Sequence, residues 1–207
     1  MLTRPCGRSA MREVELKGVV ADPAALRERL LAAGAREVYR GALFDARYDL
    51  PSRELLAKDH VLRLRVYEDA VGRRAVLDWK GPTGYDTGYK VREEISTPCG
   101  DGVGMAEVLA RMGYVVIREI DREVEQFEVQ GTTCRVERYP RMDVLMEVEG
   151  EPEAIESVIT LAGMTRADFT SERLPAFILR YEARTGERAA ICRRELTGEY
   201  RYSTFDA

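Results

Sequence analysis

The chain has 207 residues, of which 45% are hydrophobic and 33% are charged, and its formal net charge is −4. These values suit one globular domain and argue against a protein that binds nucleic acid or a membrane surface, because such proteins carry a basic excess. A single histidine and four scattered cysteines without a CxxC pair argue against a zinc site and a Ser-His-Asp triad. Since no apolar stretch reaches 18 residues, we expect a reducing, cytoplasmic setting with four free thiols.

The N-terminal part predicts a leader, a strand and a helix, in that order. Residues 1–10 are expected to be a loose leader, because they lack the apolar core of a signal peptide. The segment MREVELKGVV follows with alternating polar and apolar residues, which is typical of a strand. ADPAALRERLLAAGA then predicts a helix that begins after Asp22 and ends at Gly34. Its expected apolar stripe consists of Ala25, Leu26, Leu30 and Leu31.

Strand-like runs dominate the rest of the chain. Four follow the first helix, in REVYRGALFDARYDL, HVLRLRVYED, RRAVLDWKG and GYKVREEIST. A helix in GVGMAEVLARMG precedes three more, in YVVIREIDREVEQFEVQG, TTCRVERYP and MDVLMEVEG, and helices follow in EPEAIESVITLAG and SERLPAFILRYEARTG. This order predicts an α+β fold with a mostly antiparallel sheet, and about eight strands are enough to close a β-barrel with helices packed outside.

These elements define one domain with two flanking segments. The domain is expected to span residues 11–184, between the leader and a polar C-terminal tail at residues 185–207. The tail shows little hydrophobic periodicity, and it is interpreted as a tail or an oligomer arm. A homodimer is therefore a candidate assembly.

Strand after strand carries aliphatic residues on one face and charged residues on the other. In VLRLRVY, for example, Arg63 and Arg65 alternate with Leu62 and Leu64. A water-facing sheet would explain any one strand, but such faces normally mix Lys, Thr, Ser and Gln. Here arginines concentrate in the middle strands and carboxylates in two E-x-E pairs. A closed barrel with charge inside and apolar residues outside, under the helices, fits this pattern better.

The charged interior indicates the chemistry of a ligand. Buried cations need partners, and a polyphosphate supplies them because each guanidinium forms bidentate hydrogen bonds to phosphate oxygens. Clustered carboxylates select a hard cation such as Mg²⁺ or Mn²⁺, which bridges phosphate oxygens. No glycine-rich phosphate loop of the Walker type occurs, so side chains would hold the phosphates. The pattern predicts a metal-bound polyphosphate.

Six motifs resemble, in order, those of the CYTH domain, the family of triphosphate tunnel metalloenzymes. EVELK is similar to the family's ExExK signature, DARYDLP to its D-x-Y-F-D-x-P segment and LRLR to its paired-arginine strand. LDWKGP, KVREEI and LMEVEG resemble the lysine strand, the R-x-E strand and the closing E-x-E strand. The similarity extends from about Met11 to Arg184. It implies an eight-stranded antiparallel tunnel with a triphosphate along its axis.

The resemblance also implies roles for individual residues. Divalent metal ions would be bound by Glu13, Glu15, Glu147 and Glu149, with Glu137 in the usual place of an aspartate. The triphosphate would be held by Lys17, Arg63, Arg65, Lys80, Arg92 and Arg122, together with Arg118 and Arg135 on the same charged faces. The sequence departs from the family pattern at Arg47, where Tyr is expected, and at Ile120, where a basic residue is frequent and for which Arg118 is the substitute.

The family includes thiamine triphosphatases and class IV adenylate cyclases, and the resemblance implies one of these activities. The favoured prediction is metal-dependent hydrolysis of ATP, thiamine triphosphate or tripolyphosphate. The alternative is conversion of ATP to cyclic AMP and pyrophosphate, since the motif spellings are nearest to the cyclase branch. A non-catalytic triphosphate sensor is a third hypothesis. Lys17 and Tyr67 are the candidate catalytic residues, whereas His60 is expected in a loop and Trp79 on the outer face.

Overall fold

The computed structural model describes residues 11–203, within which the chain forms ten strands and six helices. The strands are β1 (Met11–Val19), β2 (Arg36–Asp49), β3 (Val61–Glu68), β4 (Arg73–Lys80), β5 (Gly84–Asp86), β6 (Tyr89–Cys99), β7 (Val115–Val129), β8 (Thr132–Arg138), β9 (Leu145–Glu149) and β10 (Phe169–Thr170). The helices are α1 (Pro23–Ala32), α2 (Glu54–Ala57), α3 (Gly102–Arg111), α4 (Pro152–Leu161), α5 (Leu174–Thr185) and α6 (Arg193–Leu196). The predicted leader, residues 1–10, lies outside the described residues.

Eight of the strands close a barrel in which every neighbouring pair is antiparallel. Their order is β1, β9, β8, β7, β2, β3, β4 and β6, and pairing between β6 and β1 closes the ring. The two short strands lie outside this ring, β10 beside β1 and β5 beside β6. The predicted α+β fold with an eight-stranded antiparallel barrel and outer helices is confirmed.

Turns and bulges give the sheet the curvature that closure requires. Gln130 and Gly131 join β7 to β8 as a two-residue turn in which both residues have positive φ, the conformation that matches the twist of a hairpin. Strand β2 changes register against β7 between Glu37 and Tyr39 and again between Arg47 and Tyr48. Such bulges bend a strand and increase its twist.

The apolar faces of the strands point outward under helices. Leu26 and Leu30 of α1 and Ile155 of α4 pack with Phe127 of β7 in the largest apolar cluster. Asp22 caps α1 as predicted, by accepting hydrogen bonds from two backbone N–H groups, but the expectation for Leu31 was wrong because this side chain is exposed. It lies on the solvent side of the helix, away from the buried pair.

Two further predictions concern the outer surface near β3 and β4. Trp79 is half-buried, and its ring makes an edge contact with His60, whose ring centroid is 5.1 Å away. His60 lies in the loop before β3. Both residues are therefore placed as the sequence predicts, outside the charged interior.

The chain after β9 closes one end of the barrel. Leu174 and Phe177 of α5 pack against Ile120 and Leu145, which lie on the inward faces of β7 and β9. Residues 187–203, within the predicted tail, also pack on the barrel, and Ala190 pairs with Arg141 in an isolated bridge. Within the described part of the chain this segment is therefore an added layer on the barrel.

Two observations concern possible membrane-spanning helices and the cysteines. Among residues 11–203, no helix combines the length and the apolar composition that crossing a bilayer requires. The three cysteines of the described range, Cys99, Cys134 and Cys192, are free thiols.

Candidate functional site

The charged faces of the strands meet inside the barrel and enclose a cavity of about 80 Å³. Alternation along each strand is the cause, because every second side chain points inward. Eleven of the sequence-predicted site residues line this cavity: Glu13, Glu15, Lys17, Arg63, Arg65, Lys80, Arg92, Arg122, Arg135, Glu137 and Glu147. The lining also contains polar residues that the sequence analysis did not assign to the site: Asp45, Arg47, Lys90, Tyr139, Glu172 and Arg173.

A second and wider cavity adjoins the first. Its volume is about 620 Å³, and Glu13, Arg65 and Arg135 line both cavities. We refer to the two as the narrow cavity and the wide cavity. Two further predicted site residues, Tyr67 and Glu149, line the wide cavity but not the narrow one.

The structure does not bring Arg118 to either cavity. Its guanidinium is buried against α6, where it donates hydrogen bonds of 2.9 and 3.0 Å to the carboxylate of Glu195. The ring of Tyr202 lies 5.3 Å from the guanidinium carbon. The guanidinium of Arg118 is therefore paired with the C-terminal layer and not directed into a cavity. No sequence pattern predicted that this layer folds against β7.

Arginines from β3 and β7 gather around Asp45 of β2. Arg65 donates from Nε to Oδ1 at 2.9 Å, and Arg122 donates from Nη2 to Oδ2 at 3.1 Å. The third, Arg63, lies 3.6 Å from Asp45 and forms its main contacts with Asp78, at 2.7 and 3.0 Å. Burial opposes ionisation of Asp45, but the arginines outweigh burial and hold the pKa of this carboxyl well below its usual range.

Lysines of β1, β4 and β6 pair with carboxylates of β1 and β9. Lys80 lies 2.7 Å from Glu13, Lys17 lies 2.6 Å from Glu147, and Lys90 is paired with Glu15. Burial acts to lower the pKa of Lys17, yet Glu147 and other nearby carboxylates outweigh burial and raise it above the ordinary range. Lys17 therefore keeps its positive charge throughout the neutral range.

Glu149 has less compensation than the other carboxylates. Arg135 contacts both Glu147 and Glu149, at 3.2 Å in the second case. Burial, Glu13 and Glu147 together raise the pKa of Glu149 to about 7, in spite of Arg135. The three carboxylates thus interact with one another although Lys17, Lys80 and Arg135 lie beside them.

The residues predicted to bind metal have the right ligand chemistry for a divalent ion, but in this structure their carboxylates form ion pairs with lysines and arginines. Carboxylate oxygens are the ligands that Mg²⁺ and Mn²⁺ prefer, and a cation beside Glu149 would reduce its repulsion from Glu13 and Glu147. Across residues 11–203, however, no group of three or more His, Cys, Asp or Glu side chains is gathered as a metal site. A bound ion would therefore displace Lys80 from Glu13 or Arg135 from Glu149.

Two arginines that line the narrow cavity, Arg92 and Arg173, are oriented by contacts with Gly81 and Asp59. Arg92 donates to the carbonyl oxygen of Gly81 at 2.8 Å and to that of Asp59 at 2.7 Å. Arg173, which precedes α5, forms an ion pair of 2.9 Å with the side chain of Asp59.

Glu137 lies between two partners, Arg122 at 2.9 Å and Tyr139, whose hydroxyl donates a hydrogen bond of 2.6 Å to the carboxylate.

Basic residues outnumber acidic residues in the lining of the narrow cavity. Of the residues in the described range that line it, ten are basic and six are acidic. Carboxylates just outside the lining pair with four of the basic residues: Asp59, Asp78, Glu94 and Glu149. The basic residues are Lys17, Arg47, Arg63, Arg65, Lys80, Lys90, Arg92, Arg122, Arg135 and Arg173. The acidic residues are Glu13, Glu15, Asp45, Glu137, Glu147 and Glu172. The arrangement is suited to a compact, highly charged anion.

No family model matches the chain, and no curated protein sequence matches it either. Solved structures do. A candidate adenylate cyclase from Vibrio parahaemolyticus has 19% identity and a TM-score of 0.71, with 82% of this chain and 99% of that chain covered. A protein from Pyrococcus horikoshii has 24% identity and a TM-score of 0.67, covering 81% and 98%. A candidate adenylyl cyclase from Hippeastrum, described as having a dominant triphosphatase activity, has 17% identity and a TM-score of 0.59, covering 87% and 98%.

These likenesses concern the fold. The chain shares with these structures a closed antiparallel barrel with outer helices, which is the fold that the sequence motifs predicted. The roles of individual residues remain predictions.

Proposed function

We propose that the protein binds a triphosphate in the narrow cavity and hydrolyses it with the help of Mg²⁺ or Mn²⁺. The observation that carries this proposal is the convergence of ten basic side chains on a cavity of about 80 Å³. A triphosphate carries about four negative charges near neutral pH, and its oxygens would accept hydrogen bonds from several of these side chains at once. The dominant triphosphatase activity described for the Hippeastrum protein supports the choice of reaction.

The basic residues of the cavity retain donors for phosphate oxygens. Each guanidinium has five N–H donors, and contacts with Asp45 and Asp78 use only some of those on Arg63 and Arg65. Phosphate oxygens would accept from the remaining donors and from Lys17, Lys80 and Arg92. Charge-assisted hydrogen bonds of this kind bind a phosphate and also stabilise the charge that develops on its oxygens during transfer.

Lys17 and Tyr67 are the proposed catalytic residues. Lys17 stays protonated because Glu147 holds its ammonium group, and it would stabilise charge on the phosphoryl group under attack. The Tyr67 hydroxyl lies 3.3 Å from Arg65 Nη1, which donates to it, at the boundary of the two cavities. A water molecule that accepts from this hydroxyl would be oriented toward the phosphates.

The metal ions would be held by Glu13, Glu15, Glu147 and Glu149, with Glu137 nearby. When bound, a divalent ion neutralises phosphate charge and lowers the pKa of a coordinated water. Exchange of internal cations for metal ions would free Lys80 and Arg135 to contact the phosphates. Metal and substrate should therefore bind cooperatively.

A second candidate function is the adenylate cyclase reaction, which the wide cavity favours. Its volume of about 620 Å³ can accept an organic group attached to the triphosphate, and Tyr67, Val76 and Ile95 give it apolar surface. In that reaction the ribose 3′-hydroxyl of ATP attacks the α-phosphorus, and pyrophosphate leaves.

One assay separates the candidates. The purified protein is incubated with ATP, thiamine triphosphate or tripolyphosphate, with Mg²⁺ or Mn²⁺, and the products are resolved by chromatography. We expect orthophosphate; cyclic AMP would establish the second candidate. Arg111→Ala, at an exposed ion pair on α3, is the control and should match the wild type. If no product forms but tripolyphosphate raises the melting temperature, the protein is a binding module. Absence of both at millimolar ligand would overturn the proposal.

A further inference from the structure

We propose that Asp45 is a positioning residue, whose carboxylate acts as the shared counter-ion that arranges Arg63, Arg65 and Arg122 for phosphate binding. The inference rests on the proposed function and adds a residue that touches neither a metal ligand nor, in the proposed role, the substrate. Asp45 would act through the three guanidiniums.

The topology places Asp45 between the strands that carry these arginines. β2 lies between β3 and β7, and Asp45 is directly opposite Arg65 on one side and Ile120 on the other. Its residue exposure is 3%, so water contributes little to the stabilisation of its charge. The carboxylate is instead satisfied by guanidinium groups from both neighbouring strands.

The three arginines depend on Asp45 to different degrees. Arg63 has Asp78 as a stronger partner, and Arg122 has Glu137 at 2.9 Å. Arg65 donates from Nε and Nη2 to Asp45, at 2.9 and 3.3 Å, and from Nη1 to the Tyr67 hydroxyl. The orientation of Arg65 should therefore respond most to a change at Asp45.

Removal of this charge has two separable consequences. The guanidiniums would repel one another without their counter-ion and would leave the arrangement that fits the phosphates, so turnover should fall. The cavity would also become more positive, so the affinity for a polyanion should not fall. A residue that merely supports the fold would change neither quantity at a temperature where the protein stays folded.

The matched control lies on the same strand. Asp49 is also fully buried, but its carboxylate accepts hydrogen bonds from the backbone N–H groups of Leu50, Leu55 and Leu56. It holds the start of α2 and lines neither cavity. Asp49→Asn therefore removes an equally buried negative charge that these backbone N–H groups stabilise.

The experiment compares Asp45→Asn and Asp49→Asn with the wild type, with tripolyphosphate as the probe. For Asp45→Asn we expect a lower melting temperature, a kcat at least tenfold lower and a KM that does not rise. For Asp49→Asn we expect a lower melting temperature with kcat and KM unchanged. Asp45→Glu keeps the counter-ion beside the cavity and should recover part of kcat; this variant also serves if Asp45→Asn does not fold.

A spectroscopic measurement decides the inference independently of turnover. In ¹H–¹⁵N spectra of the wild type, the Arg65 Nε–H should exchange slowly with solvent. Protection should be lost in Asp45→Asn and retained in Asp49→Asn. An unchanged Arg65 signal in Asp45→Asn, or an unchanged kcat, would overturn the inference. Absence of turnover and of tripolyphosphate binding in the wild type would instead overturn the proposed function, and the Arg65 signal would still test Asp45.

Discussion

The inner and outer faces of the same strands differ in what holds them together. On the outer face of β7, Phe127 is fully buried among aliphatic side chains under α1 and α4. Burial of such a side chain removes apolar surface from water and stabilises the fold by about 25 cal/mol per Å². On the inner face of β7, Arg122 is also buried, but among carboxylates that it must neutralise.

This difference shows that stability does not account for the interior. The cost of removing two charges from water can match or exceed their attraction, and apolar replacements of buried ion pairs are frequently neutral or stabilising. A barrel selected for stability alone would therefore carry aliphatic residues in place of these charged ones. A ligand that binds to these charged side chains accounts for their presence. Variants of the two faces should therefore differ: those of the outer face should change stability, and those of the inner face should change activity.

The largest expected effect is on the outer face. Phe127→Ala should lower the free energy of unfolding by about 3–5 kcal/mol, because truncation leaves a cavity in a close-packed cluster. Urea denaturation measures this value. Below the unfolding transition kcat/KM should equal that of the wild type, and a parallel loss of activity would show that the two faces are coupled.

The next effect is on the inner face. Glu147→Gln should lower turnover by more than about 100-fold, since even partners of metal ligands contribute about 10- to 100-fold and Glu147 is a predicted ligand. It also leaves Lys17 without its nearest carboxylate. Steady-state kinetics over a range of Mg²⁺ and Mn²⁺ concentrations gives the result. Wild-type activity with unchanged metal dependence would contradict the assignment.

Single phosphate contacts should contribute less. Arg63→Ala and Arg65→Ala should each weaken transition-state binding by about 1.5–3 kcal/mol, the range of a hydrogen bond to a charged group. The values come from kcat/KM relative to the wild type. Arg111→Ala, whose side chain is 84% exposed, should show no loss. Equal values of kcat/KM for the Arg63, Arg65 and Arg111 variants would indicate that the inner face of the barrel does not bind the substrate.

The last expected effect concerns pH. The pKa of Glu149 is about 7 in the folded protein and 4.5 as the ordinary value, so between these values the folded state binds more protons than the unfolded state. The free energy of unfolding should therefore fall as pH rises from about 5 to about 8. Glu149→Gln should flatten this dependence, as measured by urea denaturation with a chelator present. If the free energy of unfolding depends on pH in the same way in the wild type and in Glu149→Gln, the raised pKa of Glu149 is refuted.

Much of the barrel was predictable because alternation is a local property of each strand. The period of two assigned inward and outward faces correctly for the residues around Arg63, Lys80 and Glu147, and the motif order predicted the closed barrel. Asp45 could also have been found, since it lies two residues before Arg47 on the inward face of β2. A carboxylate among arginines does not resemble a phosphate ligand, and its role depends on which strands flank it.

Other features depended on tertiary contacts that no local pattern contains. Arg118 shares the inward face of β7 with Arg122, yet it pairs with Glu195, 77 residues later in the chain. The segment that carries Glu195 is polar and shows little periodicity, so its packing on the barrel had no sequence signal. Arg173 likewise reaches the narrow cavity only because α5 covers the barrel end.

The closure of the barrel has a consequence for how the protein folds. Lys17 on β1 pairs with Glu147 on β9, 130 residues later, whereas β1 meets β6 through its first residues. Contacts between such distant segments form slowly, because closing a long loop costs conformational entropy before the strand pairing can contribute favourable free energy. On the ribosome, the pairing of β1 with β9 must therefore wait for nearly the whole domain to emerge. Until then this edge of β1 is unpaired, and the carboxylates and lysine of the strand oppose its association with other nascent chains.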